Sequence, residues 1–122
     1  MLRVVMRYAR DNRVFRRPTL IVSGCARGVD QLGERWAELH DIPVAQYPAD
    51  WRRHGNAAGP RRNAVMAQNA DALVALWDGR SAGTGHMIET AFQHRLLVLC
   101  YRFDIDRFIV ADDLAGFRLG SP

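Results

Sequence analysis

Four stretches of nearly unbroken apolar residues punctuate the chain, at residues 19–23, 43–47, 72–77 and 96–102, with a shorter fifth at residues 2–6. Each is rich in β-branched or aromatic side chains, the pattern of a strand covered on both faces. Between them the apolar spacing becomes helical. Residues 29–40 place Val29, Leu32, Trp36 and Leu39 on one face, with Glu34, Arg35 and Glu38 elsewhere. Residues 60–69 open with Pro60 in the first turn, where its missing N–H costs nothing. Residues 85–94 carry Ile88, Ala91 and Phe92 along one stripe. Strand and helix alternate, so the pattern predicts right-handed βαβ crossovers and an α/β fold whose mostly parallel sheet has about five strands. Residues 104–122, preceded by Phe103 and carrying Ile105, Phe108, Ile109, Leu114 and Phe117, are expected to fold back over the sheet or onto a partner.

A length of 122 residues fits one domain, spanning 1–122. Apolar and charged fractions of 48% and 25% are those of an ordinary globular protein, which sets aside the disordered and fibrous classes. No apolar run approaches the ~18 residues of a membrane span, and no secretion signal is legible, so a cytoplasmic protein without membrane association is expected. Cys25 and Cys100 lie far apart, without a CxxC pair or a histidine cluster. Neither a disulfide framework nor a metal site is expected; both thiols read as reduced and buried, with Cys25 the one to test for reactivity.

All 17 basic residues are arginine, and the net charge is +4. Codon preference explains such a bias, and so does bidentate recognition of phosphate or carboxylate. The charge reads as spread along the chain rather than massed, which does not favour nucleic acid as the partner.

Open parallel sheets bind ligands outside the carboxyl ends of their strands. The loops there hold most of the chemically interesting residues. The first runs Ser23-Gly24-Cys25-Ala26-Arg27-Gly28-Val29-Asp30 from strand into helix. Its glycines allow a tight turn, its helix start attracts anions, Ser23 offers a hydroxyl donor and Arg27 a charge. Asp30 either caps the helix or accepts from a ribose hydroxyl. The second runs from Trp51, a candidate for base stacking, to Gly59-Pro60-Arg61-Arg62-Asn63, where Arg62 and Asn63 stand at a helix start. In the third, Trp77-Asp78-Gly79-Arg80-Ser81-Ala82-Gly83-Thr84-Gly85, small residues before a helix offer a phosphate cradle with Thr84 as donor and N-cap. Asp78 and Glu89 are the acid–base candidates near this cleft. No GxSxG elbow, HExxH pair or lysine-bearing P-loop occurs.

In order, the segments VSGCARGVDQLGERWA, IPVAQYPADWRRHGNAAGPRRNAVM and ADALVALWDGRSAGTGHMIETA resemble the YspA-like, cpYpsA-related branch of the SLOG superfamily, over residues 20–103. The same elements are similar to the core of the DNA-processing (Smf/DprA) proteins and to the LOG phosphoribohydrolases. The resemblance implies a Rossmann-like three-layer sandwich that binds a nucleotide or nucleotide-derived ligand of nucleoside monophosphate, NAD or ADP-ribose type, with no resident cofactor. It implies phosphate contacts from Gly24, Arg27, Gly28, Gly83, Thr84 and Gly85, a brace from Arg62 and Asn63, and a pocket lined by Asp30, Asp78 and Glu89. It also implies a homodimer.

Two departures from the pattern stand out. Residues 2–6 run into Arg7-Tyr8-Ala9-Arg10 without the usual glycine turn, and the segment before Thr19 leaves little room for a full first helix. Part of the pocket is therefore expected to be missing or supplied by a neighbouring subunit. Glu89 also lies about one helical turn later than the hydrolases' catalytic glutamate. Three readings follow: binding or sensing of a nucleotide-like small molecule, which leads; N-glycosidic phosphoribohydrolase activity; and single-stranded DNA binding through Arg61, Arg62 and Trp51.

Overall fold

The computed structural model describes residues 1–25 and 28–120 as a mixed α/β chain. It divides into two compact units, residues 1–66 and 67–122.

The first unit opens with a helix, α1 (Leu2–Asp11), where the apolar run at 2–6 predicts a strand. The reason lies in the period. Read only to Met6, the run looks continuous; read to Ala9, Leu2, Val5, Met6 and Ala9 fall on one face of a helix, with Val4 off it. Val5 and Ala9 are buried while Arg7 between them is exposed, which alternation in a strand would not produce. There is thus room for a full helix ahead of Thr19. Strands β1 (Ile21–Ser23) and β2 (Val44–Gln46) then pair in parallel, Ile21 opposite Val44 and Ser23 opposite Gln46.

Helix α2 (Val29–Leu39) connects these strands and packs on β1 and α1. It turns a different face inward from the one its apolar stripe predicts. Ala37 is fully buried, whereas Val29, Leu32 and Leu39 are 37%, 41% and 71% exposed. The physical reason is polar: Glu34 accepts a 2.7 Å hydrogen bond from the Ser23 hydroxyl and a 3.4 Å one from Gln46, tying α2 to both strands through its Glu34 side. After β2 come a short helix, α3 (Trp51–His54), a 3₁₀ turn (Gly55–Ala57) and α4 (Ala58–Gln68), with Pro60 in the first turn as expected.

In the second unit β3 (Ala72–Trp77) and β4 (Leu97–Arg102) are parallel, and β5 (Arg107–Ala111) runs antiparallel on the far edge of β4. Three consecutive residues of β4, Val98, Leu99 and Cys100, are fully buried, so this strand is covered on both faces. The continuous apolar run at 96–102 is a central strand for that reason. Helix α5 (Ala82–Gln93) packs on β3 and β4 through Ile88 and Ala91. Of the segment expected to fold back, the described residues 104–120 do so, as β5 and then α6 (Leu114–Gly120). Phe117 of α6 enters the core and meets Phe92 at 5.5 Å between ring centroids. Phe103, Ile105 and Leu114 stay exposed.

The described residues thus form a two-stranded parallel sheet and a three-stranded mixed sheet. No helix among them is long and apolar enough to cross a membrane.

Candidate functional site

The turn that leaves β1 is a built structure. Ser23, buried at the strand end, donates its only hydroxyl proton to Glu34 and accepts from the Cys25 amide at 3.1 Å. It therefore braces the turn. Gly24 is buried, and its carbonyl accepts from Nη1 of Arg62 across 38 residues of chain. A Cβ on Gly24 would stand 2.7 Å from that Nη1 and 2.9 Å from Cζ, so glycine is what lets the guanidinium lie on the backbone. Arg62 also donates Nε–H to Oδ1 of the buried Asn63, at 3.0 Å. These bonds use two of its five donors.

Gly28, the N-cap of α2, has φ of +83°, a left-handed conformation that disfavours other residues. Asp30 follows in the first turn of α2, half-buried. Arg27 lies outside the described residues. Cys25, expected buried, is exposed and adopts φ of +59°. Trp51 starts α3 behind the Asp50 cap, is 59% exposed, and lies over Gly59.

In the second unit Asp78 closes the turn after β3. Its Oδ1 accepts from the amides of Arg80 (2.8 Å) and Ser81 (2.7 Å), and those two bonds hold its carboxyl below the usual carboxylate range. Asp78 is thus a poor proton acceptor and a good turn-former. Helix α5 starts three residues earlier than the sequence pattern predicts, because Ser81 rather than Thr84 is its N-cap. Gly83, Thr84 and Gly85 sit in the first turn, not in a loop before it. The Gly85 amide donates to the Ser81 carbonyl at 3.0 Å, the first bond of the helix. The amides of Ala82, Gly83 and Thr84 come before it and have no acceptor within the helix.

Beside this turn is a cavity of about 400 Å³. Arg80, His86 and Glu89 are its charged or titratable lining, with Trp77, Ile88 and Phe117 on the apolar side. Glu89 is exposed and on the cavity wall. Trp77 is fixed on three sides. Its Nε1–H donates to Ser81 at 3.0 Å, Gly85 lies against its edge, and the Arg102 guanidinium sits 5.4 Å from its ring centre. Arg102 in turn holds Asp104 through two hydrogen bonds, 2.9 and 2.7 Å, which keep that carboxyl below its ordinary range. Glu34 and Arg102 are supports the sequence did not reveal, since each acts through a partner distant in sequence or on another element.

A larger cavity, about 1010 Å³, lies in the first unit among α1, residues 13–18 and the end of α2. Six arginines line it: Arg3, Arg7, Arg10, Arg13, Arg16 and Arg17. The sequence reading of spread charge missed this gathering. Its signal was present in the spacing of Arg3, Arg7 and Arg10, which falls on one face once residues 2–11 are a helix. Among the described residues no three His, Cys, Asp or Glu side chains stand together as a metal site.

The chain is 38% identical over 78 residues to "Gene 61 protein" of Mycobacterium phage D29, an alignment covering 59% of this chain. It spans 62% of the length of that relative. No solved structure matches it. Residues 9–54, which hold β1, the glycine turn, α2, β2 and α3 but end before Arg62 and α5, match the YspA, cpYpsA-related SLOG family.

Proposed function

We propose that this chain binds a nucleotide or nucleotide-derived small molecule, of nucleoside monophosphate, NAD or ADP-ribose type, at the turns that follow its strands. The observation that carries this reading is the cavity at the first turn of α5. It sets Ala82, whose amide has no helical acceptor, beside Arg80, which suits a phosphate, with Trp77 and Phe117 nearby for an apolar ring; Gly83 and Thr84 do not line it. The cavity volume lies at the small end of the range for small-molecule sites. Gly24, Arg27, Gly28, Arg62 and Asn63 form the second anion-binding turn on this reading, with Asp30 toward a ribose. The partial family match, which covers the turn after β1 but not Arg62, Asn63 or α5, supports the same ligand class. The fold implied is a Rossmann-like three-layer domain spanning 1–122.

A thermal-shift series with AMP, CMP, NAD and ADP-ribose tests it. A ligand at a hundredfold its Kd adds ~2.7 kcal/mol of stability. Arg80→Ala abolishes that shift. No shift with any of the four, or a shift that Arg80→Ala leaves intact, removes the reading.

Glu89 on the cavity wall favours a second reading, N-glycosidic cleavage of a nucleoside monophosphate. There a carboxylate stabilises an oxocarbenium-like sugar as the base departs. Release of free base from AMP or CMP, lost in Glu89→Gln, is the required result; equal release by both proteins excludes it. The exposed Val29 and Leu32 on α2 support a homodimer, which light scattering checks: Leu32→Glu yields a monomer.

A further inference from the structure

We propose that the arginine-lined groove of residues 1–66 is a binding site for single-stranded nucleic acid, separate from the turns assigned above to a small ligand. All six arginines of the groove are exposed, and no aspartate or glutamate lines it. Arg10 pairs with Asp11 at 3.1 Å, in an ion pair on open surface that holds it weakly. Arg17 donates to the His40 carbonyl at 2.8 Å, at the negative end of α2. Arg3, Arg7, Arg13 and Arg16 form no salt bridge among the described residues.

Arg3, Arg7 and Arg10 follow each other at four and three residues on α1, so successive side chains emerge about 4.5–6 Å apart along the axis. That is the scale of consecutive phosphates in an extended strand, and far more charge than a mononucleotide neutralises. Planar forks match phosphate oxygens bidentately. The groove wall also holds Phe15, half-buried, and Trp36, whose ring already stacks on His40 at 4.3 Å and 25°. His40 is locked there by its Nδ1–H, which donates to the Trp36 carbonyl at 2.8 Å. A cationic groove with ring platforms is how proteins hold unpaired bases with little sequence preference. A membrane fits less well, because α1 turns its apolar Val5 and Ala9 inward and its arginines line a concavity. An acidic peptide would use the charge and leave the rings idle.

Fluorescence anisotropy of a labelled twelve-nucleotide oligothymidylate with the intact chain tests the proposal. Four phosphate contacts give a slope of about −2.8 in log K against log salt. Affinity then falls about fiftyfold from 50 to 200 mM salt. Arg3→Ala/Arg7→Ala halves that slope, so the same change of salt costs only about sevenfold. Both side chains are exposed, so a melting curve like that of the unsubstituted chain shows the fold intact; Arg13→Ala/Arg16→Ala gives the same result from the neighbouring segment. Phe15→Leu weakens binding at least fivefold without changing the slope. Arg107→Gln, on β5, changes neither. Four results overturn the proposal: no binding at 50 mM salt, a slope indifferent to both arginine pairs, equal competition by polyglutamate of matched charge, or competition by phosphatidylserine vesicles at equal charge. Excess AMP or ADP-ribose leaves oligonucleotide binding unchanged, so failure here does not touch the small-ligand reading, nor the reverse.

Discussion

Gly24 and Gly79 stand one and two residues after β1 and β3, and each makes room for an arginine. At Gly24 the guanidinium of Arg62 lies where a Cβ would project; at Gly79 that of Arg102 does. Gly24→Ala must displace Arg62 or the turn, an overpacking that costs about 1–3 kcal/mol. It lowers the urea midpoint without altering the slope. In an Arg62→Ala background the penalty shrinks, because the obstruction is gone, and the double-mutant cycle reads that difference. Gly79 has the further constraint of φ +78°, so Gly79→Ala carries an added strain of about 1–2 kcal/mol. Asp78 adds a pH signature. Its folded carboxyl titrates below the ordinary carboxylate range, so the stability it contributes is complete above that range and is lost as pH falls through the lowered value. Asp78→Asn keeps an oxygen for the two amides and has no charge to lose. The prediction is that thermal melts of the unsubstituted chain from pH 5 to pH 2 decline more steeply than those of Asp78→Asn.

At the level of elements, α1 separates two accounts of one apolar run. A strand over 2–6 would put Val4 and Val5 on opposite faces with equal claims to burial; the helix buries Val5 fully and exposes Val4. Val5→Ala therefore costs about 2 kcal/mol from lost methyl burial and the cavity left behind, while Val4→Ala is close to neutral in the same urea titration. The long strands were legible as continuous apolar runs: burial on both faces forces one on the central β4, and 72–77 coincides with β3. The return of residues 104–120 was legible in Ile109 and Phe117. The face of α2 was not, because apolar count favoured Val29 and Leu39, whereas a single carboxylate, Glu34, decides the orientation by reaching Ser23 and Gln46. The start of α5 was obscured by its small residues, which read as loop until Ser81 is seen to cap the helix. Of the candidate site, the residues were nameable but their duties were not. Ser23 and Asp78 read as ligand or acid–base groups in the sequence, yet Ser23 spends its hydroxyl on Glu34 of α2 and the Cys25 amide, and Asp78 spends Oδ1 on its own turn. Such local bonds depend on backbone positions that a linear pattern does not specify.

At the scale of the whole molecule, the two thiols give a reading of how the two compact units unfold. Cys25 is exposed in the first, and Cys100 is fully buried in the second, where loss of water pushes its thiol up to about 11. Native labelling at pH 8 should modify Cys25 quickly and leave Cys100 to react only when its strand opens. We propose that residues 1–122 unfold as one domain, and Gly24→Ala tests that from a distance. It weakens the first unit, whereas Cys100 reports on the second. In a single cooperative transition every 1.4 kcal/mol lost at Gly24 raises the Cys100 labelling rate about tenfold, because both thiols share one open state. Units that open independently would show the lower urea midpoint with the Cys100 rate unmoved. Agreement between the two free energies is the expected outcome, and it would make the turn after β1 a determinant of the stability of β4 as well.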